Sequence, residues 1–251
     1  MSESTLPERL ADWLETSGRA LELRTARAFR AHPAVRRAEQ SVAYEDVNSK
    51  HQREGDVLAV YHWLTGNLAV SLEVAAECKG AVDRPWVAFY DHRRFTPLEA
   101  RAWFQTVGAW PAEHQAELIS EWHQSNVLLT DRVATHAVSA FGKDSKNDVH
   151  DAARQALSFA MARAKNTTRY TGDPADAEPM TAVMPTVVTR APLFTCELDE
   201  AGGVVLNQVE RFDMWIYTGR YERRRVYVRS ERGLTPMVEA LGRIRDRLND
   251  R

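Results

Sequence analysis

The chain has little cysteine: two residues, Cys78 and Cys196, in 251. That excludes a disulfide framework and suits a reducing compartment. Lysine is scarce as well. It supplies five of the 33 basic residues, at positions 50, 79, 143, 146 and 165, and arginine supplies the other 28. Neither sign of charge dominates, since 35 acidic residues leave a net charge of -2. A protein that coats nucleic acid through a global positive field is therefore excluded, while a local basic cleft is not. No apolar run approaches the ~20 residues that cross a bilayer, and Met1-Ser2-Glu3-Ser4 does not begin a secretory signal. The expectation is a cytoplasmic protein with no membrane partner. There is no His-Glu-x-x-His, no Cys-x-x-Cys, no glycine-rich phosphate loop and no Gly-x-Ser-x-Gly elbow, so zinc, phosphate-loop and serine-hydrolase chemistry have no basis in the sequence.

What remains is ordinary globular material, with 44% hydrophobic and 27% charged residues and length enough for a stable core. Residues 7 to 32 read as helix, bent near Gly18, with Leu10, Trp13, Leu14, Leu21, Ala28 and Phe29 as its apolar stripe. Gln40 to Tyr44 read as a short strand and Glu45 to Glu54 as a loop. Gly55 to Lys79 make two strands around a turn, and Trp86 to Tyr90 another strand that should adjoin them. Helices are expected from Thr96-Pro97, over Pro111 to Val127, and from a cap at Asp144 or Ser145 to about Lys165. Residues 166 to 185, rich in proline, read as a loop. Strand-like pieces follow at Thr186 to Leu198, Val204 to Val209, Met214 to Tyr217 and Arg225 to Val228. Thr235 to Leu248 close the chain as an amphipathic helix. This order predicts one α/β domain over 1–251, a mixed central sheet flanked by helices, with residues 186–249 joining the same sheet. The four tryptophans at 13, 103, 110 and 122 are expected in the core.

The hairpin is the most informative segment. If Gly66-Asn67 is a two-residue turn, paired positions sum to 133. Val57 then faces Ala76, Ala59 faces Val74, Tyr61 faces Leu72 and Trp63 faces Val70, so one face of the ribbon is uniformly apolar. The same register sets Asp56 opposite Glu77, with Lys79 on their side and Cys78 turned to the core. Two carboxylates on adjacent strands offer hard oxygen ligands to a divalent ion. A nearby lysine can stabilise developing charge or orient a water. The same three residues would also serve as a plain ion pair on a solvated face.

At these residues the chain resembles the PD-(D/E)XK nuclease superfamily, the restriction-endonuclease-like fold. The pattern reads Glu54-Gly55-Asp56-Val57, then Ala76-Glu77-Cys78-Lys79, with Gly55 where the name-giving proline would stand. Glu22, in Leu21-Glu22-Leu23-Arg24, matches the glutamate such families carry on the first core helix, and Gln40 to Tyr44 match the first core strand. The likeness is strongest over 18–90 and extends to about 165, the catalytic core it implies. It implies a Mg²⁺- or Mn²⁺-dependent nuclease, acting on DNA, in which Asp56, Glu77 and the Cys78 carbonyl hold the metal. Lys79 would sit beside the attacking water, as base or as electrostatic stabiliser, and Glu22 would be an outer ligand or water-holder. Gln155 matches a glutamine some relatives carry on a later helix. Arg93, Arg94, Arg223 and Arg224 are candidate nucleic-acid contacts. Duplex cleavage usually needs two active sites, so a homodimer is a reasonable expectation. An inactive relative that binds nucleic acid or a partner protein, and an RNA-cleaving enzyme, remain open beside this reading.

Overall fold

The computed structural model describes residues 5–90, 105–107, 117–118, 120–121, 124–125, 128, 132–141, 147–166, 173–218 and 223–250. The expected helices from Thr96 and Pro111 fall mostly outside them, as do Arg93, Arg94 and the tryptophans at 103, 110 and 122. The architecture is mixed α/β, as expected, but with two sheets.

The first helical segment is two helices, α1 (Leu6–Thr16) and α2 (Arg19–Arg30), and the bend expected near Gly18 is a full break. Gly18 takes φ 87°, a left-handed value that costs glycine little. The apolar face of α1 is not core: Leu10 and Trp13 are 50% and 57% exposed, so the expectation of a buried Trp13 fails. The break at Gly18 turns α1 off the line that packs α2 against the sheet. On α2, Leu21, Ala26 and Phe29 are fully buried.

The main sheet is built on β1 (Val35–Glu45), β2 (Gln52–Thr65) and β3 (Leu68–Lys79). The register of β2 and β3 is the one that the turn dictates: Val57 pairs with Ala76, Ala59 with Val74, Tyr61 with Leu72 and Trp63 with Val70. Of the two turn residues only Gly66 has positive φ, 56°, as in a type II′ hairpin. No bulge interrupts this ladder; the irregularity lies at Val35/Arg37 between β1 and β2. Two short strands come next, β4 (Trp86–Phe89) and β5 (Gln105–Val107), and then β6 (His136–Ser139). Helix α3 (Asp148–Lys165) begins at Asn147, whose side chain accepts from the His150 amide, and not at Asp144 or Ser145, which lie outside the described residues.

The 166–185 loop expectation fails in its second half. Strand β7 (Glu178–Thr189) pairs in parallel with β3 along its whole length. Its prolines hid it, because proline cannot donate to a ladder. On the other edge of β7, β5 pairs with 181–183 and β11 (Arg223–Ser230) with 186–189, so Pro185 falls in the gap between two described partners. The chain then leaves this sheet. Strands β8 (Leu193–Leu198) and β9 (Val204–Val209) join β4 and β6 in a second sheet of order β6-β4-β8-β9. Thr186 to Leu198 is thus two strands in two sheets, and β4 does not adjoin the hairpin. Strand β10 (Arg211–Tyr217) returns to the main sheet, whose order is β1-β2-β3-β7-β11-β10 with β5 also on β7. Helix α4 (Glu231–Asn249) starts four residues earlier than expected, capped by Ser230, whose hydroxyl accepts from the Gly233 amide.

Both faces of the hairpin are covered. Val57, Ala59, Tyr61 and Trp63 pack with α2 and α4, while Leu58, Val60 and Ala75 pack under the second half of α3 with Tyr44 and Phe159. The first half of α3 shares a core with the second sheet, β10 and β11. At Gly55 an added Cβ would stand 2.3 Å from the Phe159 ring. A proline or any other side chain there would collide with a fully packed aromatic. Gly55→Ala is expected to cost roughly 1–3 kcal/mol through overpacking, measured as a lower denaturation midpoint.

Candidate functional site

The site forms where β2 begins and β3 ends. The last ladder pair is Val57 with Ala76. Beyond it, Asp56 does not face an amide ladder but turns its carboxylate to the Cys78 amide, which donates to Oδ2 at 2.7 Å. The Lys79 carbonyl accepts from the Arg190 amide at 3.1 Å, on the β7 side. Strand alternation therefore points both the amide and the carbonyl of Cys78 to the Asp56 side. The Cys78 thiol is buried in the core, as its place in the pleat requires, 3.7 Å from the Thr25 hydroxyl.

Glu77 and Lys79 project toward α3. Lys79 Nζ donates to Glu77 Oε1 at 2.7 Å and to Gln155 Oε1 at 2.9 Å. Gln155, Phe159 and Arg163 lie on one stripe of α3 at intervals of four. Gln155 meets Lys79, Phe159 covers Gly55, and Arg163 makes a two-pronged ion pair with buried Glu73 at 2.9 and 3.0 Å. The stripe thus sets the height of Gln155 above the carboxylates. Glu22 approaches from the N-terminus of α2, is 7% exposed, and repels the charges of both Asp56 and Glu77. Arg19 holds it at 2.9 Å and also reaches Glu54.

The α2 end is seated by two glycines. An added Cβ at Gly80 would meet Gly18 Cα at 2.6 Å, backbone against backbone, so only glycine lets the chain after Lys79 touch the α1–α2 break. A bend near Gly18 was legible, but the parts that Gly18, Gly80 and Arg19 play at the site were not. The only available signal was a glycine inside a helical pattern and another directly after the lysine.

Of the candidate residues, Asp56, Glu77, Lys79, Glu22 and Gln155 converge. Arg223 and Arg224 do not. Tyr227 is level with Thr186 and so with Ala76, which leaves Arg223 level with Leu72, two strands away and ~17 Å down the strand from Glu77. Arg223 lies over the Trp215 ring at 4.8 Å. Arg225 and Arg229, from the same basic run, are buried with Asp213 and form no surface patch.

Burial raises the Asp56 carboxyl to about 7, with repulsion from Glu77 and Glu22 adding to it, against the bond from Cys78 and the charge of Lys79. Burial also raises Glu77, partly offset by Lys79. Two acids are thus crowded into a site that disfavours charging both. A raised carboxyl means that the folded chain binds more protons than the unfolded one between the ordinary pKa of 3.8 and about 7. Stability is therefore lost as pH rises through that window. In metal-free buffer Asp56→Asn is expected to be more stable than the parent at pH 8, by on the order of a few kcal/mol. The gap should close as pH falls toward 4, as followed by thermal melts across pH.

The donor set fits a hard divalent ion: two carboxylates and a backbone carbonyl, all oxygen, which is what Mg²⁺ accepts while keeping waters. Among the described residues no three His, Cys, Asp or Glu side chains stand together as a ready-made cage, and this set does not require one. Among the described residues, too, no helix is long and apolar enough to cross a membrane. No protein-family model, curated protein or solved structure matches the chain.

Proposed function

We propose that this protein is a metal-dependent nuclease of the PD-(D/E)XK type, hydrolysing phosphodiester bonds in DNA. The observation that carries the reading is the convergence, at the open end of one hairpin, of the half-buried Asp56 and buried Glu77 carboxylates, which repel each other, with a lysine that a glutamine holds from above. An ion pair on a solvated face would not crowd two acids into a buried corner.

Asp56, Glu77 and the Cys78 carbonyl would hold Mg²⁺ or Mn²⁺. When bound, such an ion supplies Lewis-acid polarisation of a phosphoryl oxygen and a water of lowered pKa. The remaining roles belong to the chain. Lys79 is aimed by Gln155 and Glu77, so its ammonium would be available to the charge that develops on the phosphate oxygens. Fixing it in advance removes reorganisation from the reaction step. Glu22, steered by Arg19, would hold water on the α2 side. Partial burial of the carboxylates lowers their contact with solvent and strengthens each of these interactions.

The test joins binding to turnover. Calorimetric titration with Mg²⁺ or Mn²⁺, with and without an oligonucleotide, should show uptake, and end-labelled DNA should be cleaved only when the metal is present. Absence of uptake even beside substrate, together with intact DNA, would overturn the assignment.

A further inference from the structure

Gln155 has a second face. The helix that aims it at Lys79 also presents it to a cleft of ≈ 570 Å³, lined from β2 by Arg53, from α3 by Arg154 and Ser158, and from the end of β10 by Tyr217. Tyr217 is 58% exposed, unusual for a tyrosine closing a strand whose other residues are buried or half-buried. Arg154 is exposed and Arg53 is half-exposed. Two aspartates share the lining. One of them, Asp46, already accepts from the Ser158 hydroxyl and from the Asn48 and Ser49 amides, with Arg53 at 3.3 Å, and these bonds hold it at about 2. Its charge is thus satisfied internally. The other, Asp151, lies one turn before Arg154 on α3 and leaves that arginine at the rim.

We infer that this cleft receives an unpaired stretch of the substrate strand away from the scissile phosphate, with a base stacked on Tyr217, whose ladder partner is Arg223, and a backbone phosphate on Arg154. The inference rests on the nuclease reading for its orientation, since Gln155 joins the cleft to Lys79. The volume suits one or two nucleotides and not the cross-section of a duplex. An aromatic face with flanking arginines is the combination by which proteins hold single strands irrespective of sequence. It implies that the preferred substrate carries an unpaired stretch at some distance from the cut.

Binding in EDTA separates this from the chemistry. Fluorescence anisotropy would compare a labelled dT12 oligonucleotide with a blunt 12-base-pair duplex on the full chain. The expected result is tighter binding of dT12. Tyr217→Ala should weaken it on the order of tenfold, Tyr217→Phe should restore it, and Arg154→Ala should lower the salt slope by about 0.7. An unchanged affinity in Tyr217→Ala, tighter binding of the duplex, or no binding of dT12 would each overturn the cleft assignment. If the parent cleaves DNA yet Tyr217→Ala binds normally, the cleft fails and the nuclease reading stands. If dT12 binds through Tyr217 but no metal supports cleavage, the nuclease reading fails and the strand site stands.

Discussion

Asp56→Ala and Glu77→Ala are each expected to lower metal-dependent DNA cleavage by ~10³-fold or more, while the protein stays folded. A lost preorganised electrostatic group alone is worth ~10²–10³, and each carboxylate would also be half of the side-chain ligand set. Neither substitution threatens the fold, because the loss of solvent contact raises both acids, so alanine removes an unfavourable charge. Lys79→Ala should reduce cleavage by a similar factor without reducing metal uptake, which separates its role from ligation. Gel-based cleavage rates with calorimetry on the same preparations read both quantities. Full activity in the Asp56 and Glu77 variants would mean that the chemistry lies elsewhere.

The largest loss of stability is expected far from the site, in Asp213→Ala. Asp213 on β10 is entirely buried between Arg225 and Arg229 of β11, which are 1% and 0% exposed. Arg229 also donates to the carbonyls of Phe212, Val228 and Leu128, and Tyr227 lies between the two guanidinium groups at 5.4 and 5.5 Å. Burial pulls the Asp213 carboxyl up, but the two arginines outweigh it and hold it below its ordinary value. Removing the one carboxylate leaves two buried cations facing each other, a loss of about 3–5 kcal/mol. Replacing all three groups by apolar residues of similar volume should recover most of it. Denaturant melts of the two variants check the pair. Equal stability of Asp213→Ala and the parent would show that the cluster is solvated.

The hairpin was legible because its signals are local. A glycine-led two-residue turn sets one register, and alternation then assigns every side chain to a face. Asp56, Glu77 and Lys79 came from that arithmetic, and Gln155 and Glu22 from the motif they fit. The basic run at 223–229 was illegible for the opposite reason. Local sequence does not tell its four arginines apart, and only the partner strand reveals that Asp213 draws two of them inside. Strand β7 was half lost because proline is a reliable breaker only where a neighbour needs the amide, and Pro185 lies between neighbours.

Composition and spacing alone therefore determined the α/β class, the hairpin register and which acids could meet. Those properties follow from turn chemistry and side-chain periodicity along a continuous stretch. Tertiary structure decided the rest: the second sheet, the burial of both hairpin faces, the grip of Arg19 on Glu22, and the Gly18–Gly80 and Gly55–Phe159 contacts that seat the helices. Each of those depends on which distant segment fills a given space, and packing of that kind has no period in the chain from which to read it.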